Sequence, residues 1–361
     1  MRVGLPHIGN TYIPFKALME SLDADYVIPP LNSQHTLSLG VRYSPEDVCL
    51  PFKLILGNLI EAAGMGADSL IMPGGYGICR LGYYAKIHEA ILRNLGYQTE
   101  MIRFGLSEQK LSGVLRMVRH LSGGASWGRI ASAFRFGLTK LTALDRIEKK
   151  VQEIRAYETT KGMANQLYSR ALTAIDGAGD YASLKKVTID YLSQLNDVSI
   201  DSKHQPLIVG ITGEIYVLLE PFANLDLESE LGKLGVLVRR QVFLSNWIRF
   251  SWFLNYLGLD EHARVHRAAK PYLKRDVGGD GWESVGDKVL HAGEYDGLIH
   301  LAPFTCMPET VAQNIMKSTR EHLPVLTILC DEQMGKTGLL TRLEAFCDLL
   351  EQRRRIRREK R

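Results

Sequence analysis

Three of the five cysteines stand where a thiolate could do chemistry. Cys49 falls in SPEDVCLPFK, just ahead of a run with helical spacing. Cys79 falls in PGGYGICRLGYY, a glycine-rich loop. Cys306 falls in LAPFTCMPET, after an apolar run and ahead of a helix with Pro308 early in its first turn. All three are expected near helix N-termini, where the dipole and the unpaired backbone N–H groups favour a thiolate or another anion. Cys79 and Cys306 are also expected at the carboxyl ends of strands, the edge at which doubly wound sheets bind ligands. Three converging thiolates suit a soft metal or an iron–sulfur cluster. They form no C-x-x-C pair, so any convergence comes from the fold, and two alternatives stay open. The cysteines could be small apolar residues packed in loops. They could also hold zinc with His7 or His88 as a fourth ligand, although structural zinc sites usually show paired local ligands.

Other residues could serve the same chemistry. Lys53 and Arg80, a few positions from Cys49 and Cys79, could offset the negative charge of bound thiolates, or be solvated cations in a first helical turn. Gly75 and Gly77 would let the backbone approach a bulky ligand closely. Glu214, after a strand in GITGEIY, is a candidate proton donor or second-sphere acceptor, with helix capping as the alternative. Glu309 reads as an acid complementing the dipole of a first turn. Gly278, Gly279 and Gly281 read as a turn or substrate loop. Cys330 and Cys347 are assigned to packing, with Cys330 as an open alternative for a fourth iron ligand. ILCDEQMGKTGLL imitates a phosphate loop, but Cys330 stands where the first glycine would be, and Asp331 and Glu332 would put carboxylates beside the phosphates.

The elements that must position these residues alternate between short apolar runs and helical stretches. VGLPHI, ADYVIP, DSLIMP and QTEMIRF are expected as strands, with helices over FKLILGNLIEAA and AKIHEAILRNLGY. The order predicts an α/β fold of two doubly wound Rossmann-like lobes with parallel sheets, plus a helical insertion between them. The expected division is an N-terminal lobe over 1–104, a helical lobe over 105–204, a C-terminal lobe over 205–350 and a basic tail over 351–361.

Composition narrows the class. The 361 residues are 45% hydrophobic and 23% charged, with 33 Gly and 13 Pro, which argues against a disordered, collagenous or disulfide-scaffold protein. The net charge is +4, but the final RRRIRREKR alone carries +6, leaving a mildly acidic body at −2. That balance argues against nucleic-acid binding and for a solvated helix end. No apolar run approaches the roughly 18 residues of a membrane span, and MRVGLPHIGN has no signal-like apolar stretch, so a cytoplasmic location is expected. Five cysteines in a reducing compartment are not expected to be disulfide staples.

The motifs VCLPFK, GGYGICRLGYY, GITGEIYVLLEPFAN, GGDGWESVG, HLAPFTCMPE and DEQMGKTGLLTRLEAF together resemble the activase-related branch of the 2-hydroxyacyl-CoA dehydratase superfamily. That superfamily includes the double-cubane-cluster proteins and the dehydratase subunits for 2-hydroxyglutaryl-CoA and 2-hydroxyisocaproyl-CoA. The resemblance spans residues 1–104 and 206–350. It implies a 4Fe–4S cluster held by Cys49, Cys79 and Cys306, with one iron open to water or substrate. It further implies reduction by a separate ATP-dependent activase, followed by low-potential electron transfer to a small substrate. In the dehydratase relatives one electron converts a 2-hydroxyacyl-CoA thioester to a ketyl radical. A double cubane would need about six cysteine ligands and this chain has five. One cluster per chain is therefore expected, with a larger cluster shared across a homo- or heterodimer left open. The alternative function is a non-catalytic electron-transfer or cluster-carrying subunit of a larger complex.

Overall fold

The computed structural model describes residues 1–73, 79–104, 118–245 and 263–359. The chain forms two compact units, Met1–Thr142 and Ala143–Arg361. Each is built on a four-stranded parallel sheet, as the alternation of apolar runs and helices predicts.

In the first unit β1 (Arg2–Gly4), β2 (Asp25–Val27), β3 (Ser69–Pro73) and β4 (Glu100–Phe104) lie in the order β2-β1-β3-β4. Parallel neighbours need crossovers, and helices supply them: α1 (Tyr12–Ser21), α2 (Gln34–Tyr43), α3 (Leu50–Gly64) and α4 (Leu81–Asn94). α3 is apolar on nearly every face, and thirteen of its fifteen residues are buried, as expected of a helix that runs through a core. Pro51 sits in its first turn, where its missing N–H has no cost. α2 packs closely on α3 because Gly40 lies against the Lys53 carbonyl and Gly57 against the Thr36 carbonyl. A Cβ at Gly40 would fall 1.8 Å from the Lys53 oxygen, so only glycine permits the approach.

After β4 the chain is helical as far as it is described up to Asn196: α5 (Trp127–Tyr157), α6 (Met163–Gly177) and α7 (Tyr181–Asn196). α7 opens on a capping box between Asp180 and Ser183. The expected helix over LSGVLRMVRHL lies largely outside the described residues, as does the one over SNWIRFSWFLNYL.

The second unit repeats the strand pattern. β5 (Ile208–Gly213), β6 (Leu237–Arg240), β7 (Gly297–Pro303) and β8 (Val325–Cys330) lie in the order β6-β5-β7-β8. β7 is buried from end to end, which explains its near-continuous apolar sequence. Its helices are α8 (Ile215–Leu219), α9 (Pro221–Asn224), α10 (Leu227–Lys233), α11 (Ala263–Ala269), α12 (Gly281–Leu290), α13 (Met307–Lys317) and α14 (Lys336–Glu359). One core cluster joins Val285 of α12, Leu298 of β7 and Ala312 and Met316 of α13. The basic end of the chain continues α14. Arg354 donates to the Gln205 carbonyl at 2.9 Å, and Arg358 to the Gln205 side chain at 2.7 Å.

A buried ionic network fastens α5 to this second sheet. Arg240 of β6 pairs with Glu228 at 2.6 Å and with Glu148 at 2.8 Å, while Arg155 reaches Glu228 at 3.6 Å. Gln152 donates to the same Glu228 carboxylate at 2.9 Å. Neutralising both partners is what makes such burial tolerable.

Candidate functional site

Cys49 is the N-cap of α3, with extended backbone, and its carbonyl accepts the Phe52 amide at 3.0 Å. Its sulfur lies 2.7 Å from the Tyr84 hydroxyl of α4. Tyr84 is buried, its ring set edge-on to Phe52 with centroids 4.7 Å apart. Cys79, half-buried in the turn that enters α4, acts electrostatically on the same hydroxyl. Burial first, then the Cys49 and Cys79 sulfurs, push the Tyr84 phenol far above its ordinary value, so it stays protonated. The fold therefore sets the Cys49 sulfur on this hydroxyl, with Cys79 near enough to act on it electrostatically.

The two cations expected beside these cysteines occupy different environments. Lys53 is buried in the first turn of α3, not solvated. Arg80 is exposed at the N-cap of α4, donates to the Asp47 carbonyl at 3.1 Å and pulls the Tyr84 phenol in the opposite sense to the two sulfurs. Gly75 and Gly77 lie outside the described residues.

The histidines weighed as zinc ligands are both sealed in the first unit. His7 Nε2 bonds the Pro29 carbonyl at 2.7 Å, and burial lowers its pKa. His88 packs on Phe52 with centroids 4.1 Å apart, and burial brings its pKa down to about 3. Among the described residues no three His, Cys, Asp or Glu side chains are grouped to hold a single metal ion.

In the second unit Cys306 repeats the setting of Cys49. It is buried at the N-cap of α13, with Pro308 in the first turn, and its carbonyl accepts the Thr310 hydroxyl at 2.7 Å. Glu309 lies in the first turn of α13, as expected, but it is also fully buried, accepting from His300 Nε2 at 2.7 Å and from the Ser284 hydroxyl at 2.8 Å. The sequence places His300 in the middle of an apolar strand, and only the fold shows that α13 lays its first turn over it.

Glu214 follows Gly213, whose φ of +139° and approach to the Leu301 carbonyl admit no side chain. Glu214 caps α8 by accepting the Val217 amide at 3.1 Å. Burial, with a smaller push from the Glu309 charge, raises its pKa to about 7, despite the lowering effect of the Val217 and Tyr216 amides. It is thus both a cap and a carboxyl group that holds a proton near neutrality.

Asp280 was missed by sequence reasoning, although an Asp directly ahead of the helical run GWESVGDKVL is a start signal. It stands at the N-cap of α12, accepts the Ile215 amide at 3.0 Å and is pushed well above its ordinary value by burial and by Glu283, Glu214 and Glu309. Gly278 and Gly279, both with positive φ, form the turn ahead of it.

The remaining cysteines behave as packed thiols. Cys330 is fully buried, its pKa pushed up to about 12 by burial and then by the Glu214 charge; burial likewise raises Cys347 to about 11. Neither environment favours a thiolate. Lys336, the lysine of the phosphate-loop imitation, pairs with Glu230 at 2.9 Å.

Because both sheets share one strand order, positions in the two units correspond. Cys79 and Cys306 each follow the third strand of their sheet and precede the helix leading to the fourth, while Cys49 and Asp280 each cap the helix that leads into the third. Within the first unit the chemistry of the residues suits a thiolate-ligated group: two sulfurs at or beside helix N-termini, a hydroxyl in hydrogen-bond contact with one of them and a buried lysine one turn from it.

A family model described as CoA enzyme activase uncharacterised domain matches residues 2–242, a span that includes Cys49, Cys79 and Glu214 and stops short of Cys306. No curated protein matches the chain.

Proposed function

The chain belongs to the family described as CoA enzyme activase uncharacterised domain, and on that premise we propose that it is an iron–sulfur protein in which Cys49, Cys79 and Cys306 supply thiolates to a 4Fe–4S cluster. When bound, such a cluster supplies a one-electron store at low potential. The protein takes one electron from a separate reductase driven by ATP hydrolysis and hands it to a small-molecule acceptor, an oxidoreductase or dehydratase-like role.

The observation that carries this reading is the seating of Cys49 on the Tyr84 hydroxyl at a helix N-terminus that favours the thiolate, with Cys79 at the entry of the helix that bears Tyr84. Lys53 adds a buried positive charge one turn along the same helix. Cys306 occupies the corresponding place to Cys79 in the second unit, behind its own Pro-containing first turn. Burial holds Cys330 and Cys347 as thiols, and the fourth iron would be open to water or substrate. Glu214 serves as the proton donor, because its carboxyl group is half protonated near pH 7 and Asp280 beside it resists ionisation.

The test is reduction of anaerobically purified protein with titanium(III) citrate, followed by EPR. The reading expects a signal of a reduced 4Fe–4S cluster that is abolished by oxidation. A metal-free or zinc-containing protein with no such signal after iron and sulfide reconstitution contradicts it.

A further inference from the structure

Tyr84 is a conspicuous placement for a phenol. It is 3% exposed, its ring is locked edge-on against Phe52, and its hydroxyl ends 2.7 Å from a cysteine sulfur thirty-five positions earlier in the chain. A buried tyrosine hydroxyl needs a partner, and here the partner is Cys49. The next residue back, Tyr83, shows the contrast: it is 68% exposed, with Lys86 over its ring. The helix thus carries two adjacent phenols, one facing solvent and one fixed on the sulfur.

We infer that Tyr84 is a positioning residue that directs one hydrogen bond into the Cys49 sulfur and thereby raises the reduction potential of the group that sulfur ligates. The inference rests on the iron–sulfur reading above and adds a residue that reading does not need. The physical reason is charge. Reduction adds one negative charge, part of which rests on the ligand sulfurs, so a donor aimed at a sulfur stabilises the reduced form more than the oxidised form. Phe52 keeps the ring from turning away, and once the Cys49 sulfur is a ligating thiolate it carries no proton, so the phenol is the partner that donates. Tyr84 takes no proton and passes no electron; it acts only through Cys49.

The experiment compares anaerobically reconstituted wild-type protein with Y84F, Y83F and a protein carrying 3-fluorotyrosine at position 84, each titrated potentiometrically under EPR. Iron and sulfide are counted on the same samples. Y84F is expected to load normally and to shift its midpoint to more negative potential, so that at the wild-type midpoint the reduced-to-oxidised ratio falls about five-fold, the scale of one ordinary net hydrogen bond. Y83F is expected to match wild type. Fluorotyrosine, a stronger donor, is expected to shift the midpoint the other way, and it decides the matter if Y84F fails to load. Fully loaded Y84F and fluorotyrosine proteins with the wild-type midpoint overturn the assignment of Tyr84 alone. Wild-type protein that binds no iron and sulfide overturns the iron–sulfur reading and this inference with it.

Discussion

His300 Nε2 lies 2.7 Å from a carboxylate oxygen of Glu309, and neither side chain has any contact with solvent. The pair pins the first turn of α13, and with it Cys306 at the N-cap, to the central strand β7. Ser284 of α12 donates to the same carboxylate, so three elements meet at one acid. Glu309→Ala would leave an imidazole and a hydroxyl without their acceptor in a sealed interior. It is expected to cost about 3–5 kcal/mol in urea unfolding. A loss below about 1 kcal/mol, the size of a solvent-exposed pair, would show that the pair does not hold α13.

The raised carboxyl groups of the second unit make stability depend on pH in a definite direction. Glu214 titrates at about 7 and Asp287 at about 6, both raised chiefly by burial above their unfolded values. Such groups bind protons more tightly folded than unfolded. Their contribution is intact below about pH 4 and is lost as pH rises through 6 to 7. For Glu214, which is partly open to solvent, the loss is discounted to about 1–2 kcal/mol. Unfolding by urea at pH 5 and pH 8 is expected to show a smaller fall for Glu214→Gln than for wild type; equal falls would contradict the assignment.

His88 works in the other direction. Burial holds it neutral with a pKa of about 3, against an unfolded value of 6.5. A depressed histidine contributes stability that is present above pH 6.5 and is lost as pH falls toward 3. His88→Leu is therefore expected to hold its melting temperature better than wild type between pH 7 and pH 4.5. An identical acid profile in the two proteins would mean that His88 protonates freely.

The seat of Cys49 depends on two glycines that bring α2 against α3. A methyl at Gly40 meets the Lys53 carbonyl at 1.8 Å, and one at Gly57 meets the Thr36 carbonyl at 2.1 Å. Both obstacles are backbone, so neither is relieved by a rotamer change. Gly40→Ala and Gly57→Ala are each expected to cost upwards of about 2 kcal/mol. A melting temperature unchanged in both variants would show that the helices slide apart at no cost.

The sheets were legible because their strands read as short apolar runs, most plainly β5 and β7, which are buried almost throughout. The helix starts at Cys49 and Cys306 were legible because a proline stands in each first turn. What escaped depends on tertiary contact. Tyr84 looks like any residue of an amphipathic helix until α3 brings Cys49 to its hydroxyl. Glu309 looks like dipole complementation until β7 supplies His300 beneath it. Glu148, Gln152 and Arg155 of α5 share the spacing of one helix face, but nothing in that spacing names Glu228 and Arg240 as their partners.

Whether Cys49, Cys79 and Cys306 hold one cluster, as proposed, is decided by measuring iron and acid-labile sulfide per chain. The measurement is made on anaerobically purified wild-type protein and on the Cys49→Ala, Cys79→Ala, Cys306→Ala and Cys347→Ala variants. Wild type is expected to carry about four iron and four sulfide per chain, each of the first three variants to lose most of both, and Cys347→Ala to be unchanged. Zinc, absence of iron, or full iron retention in any of the first three variants would contradict the proposal.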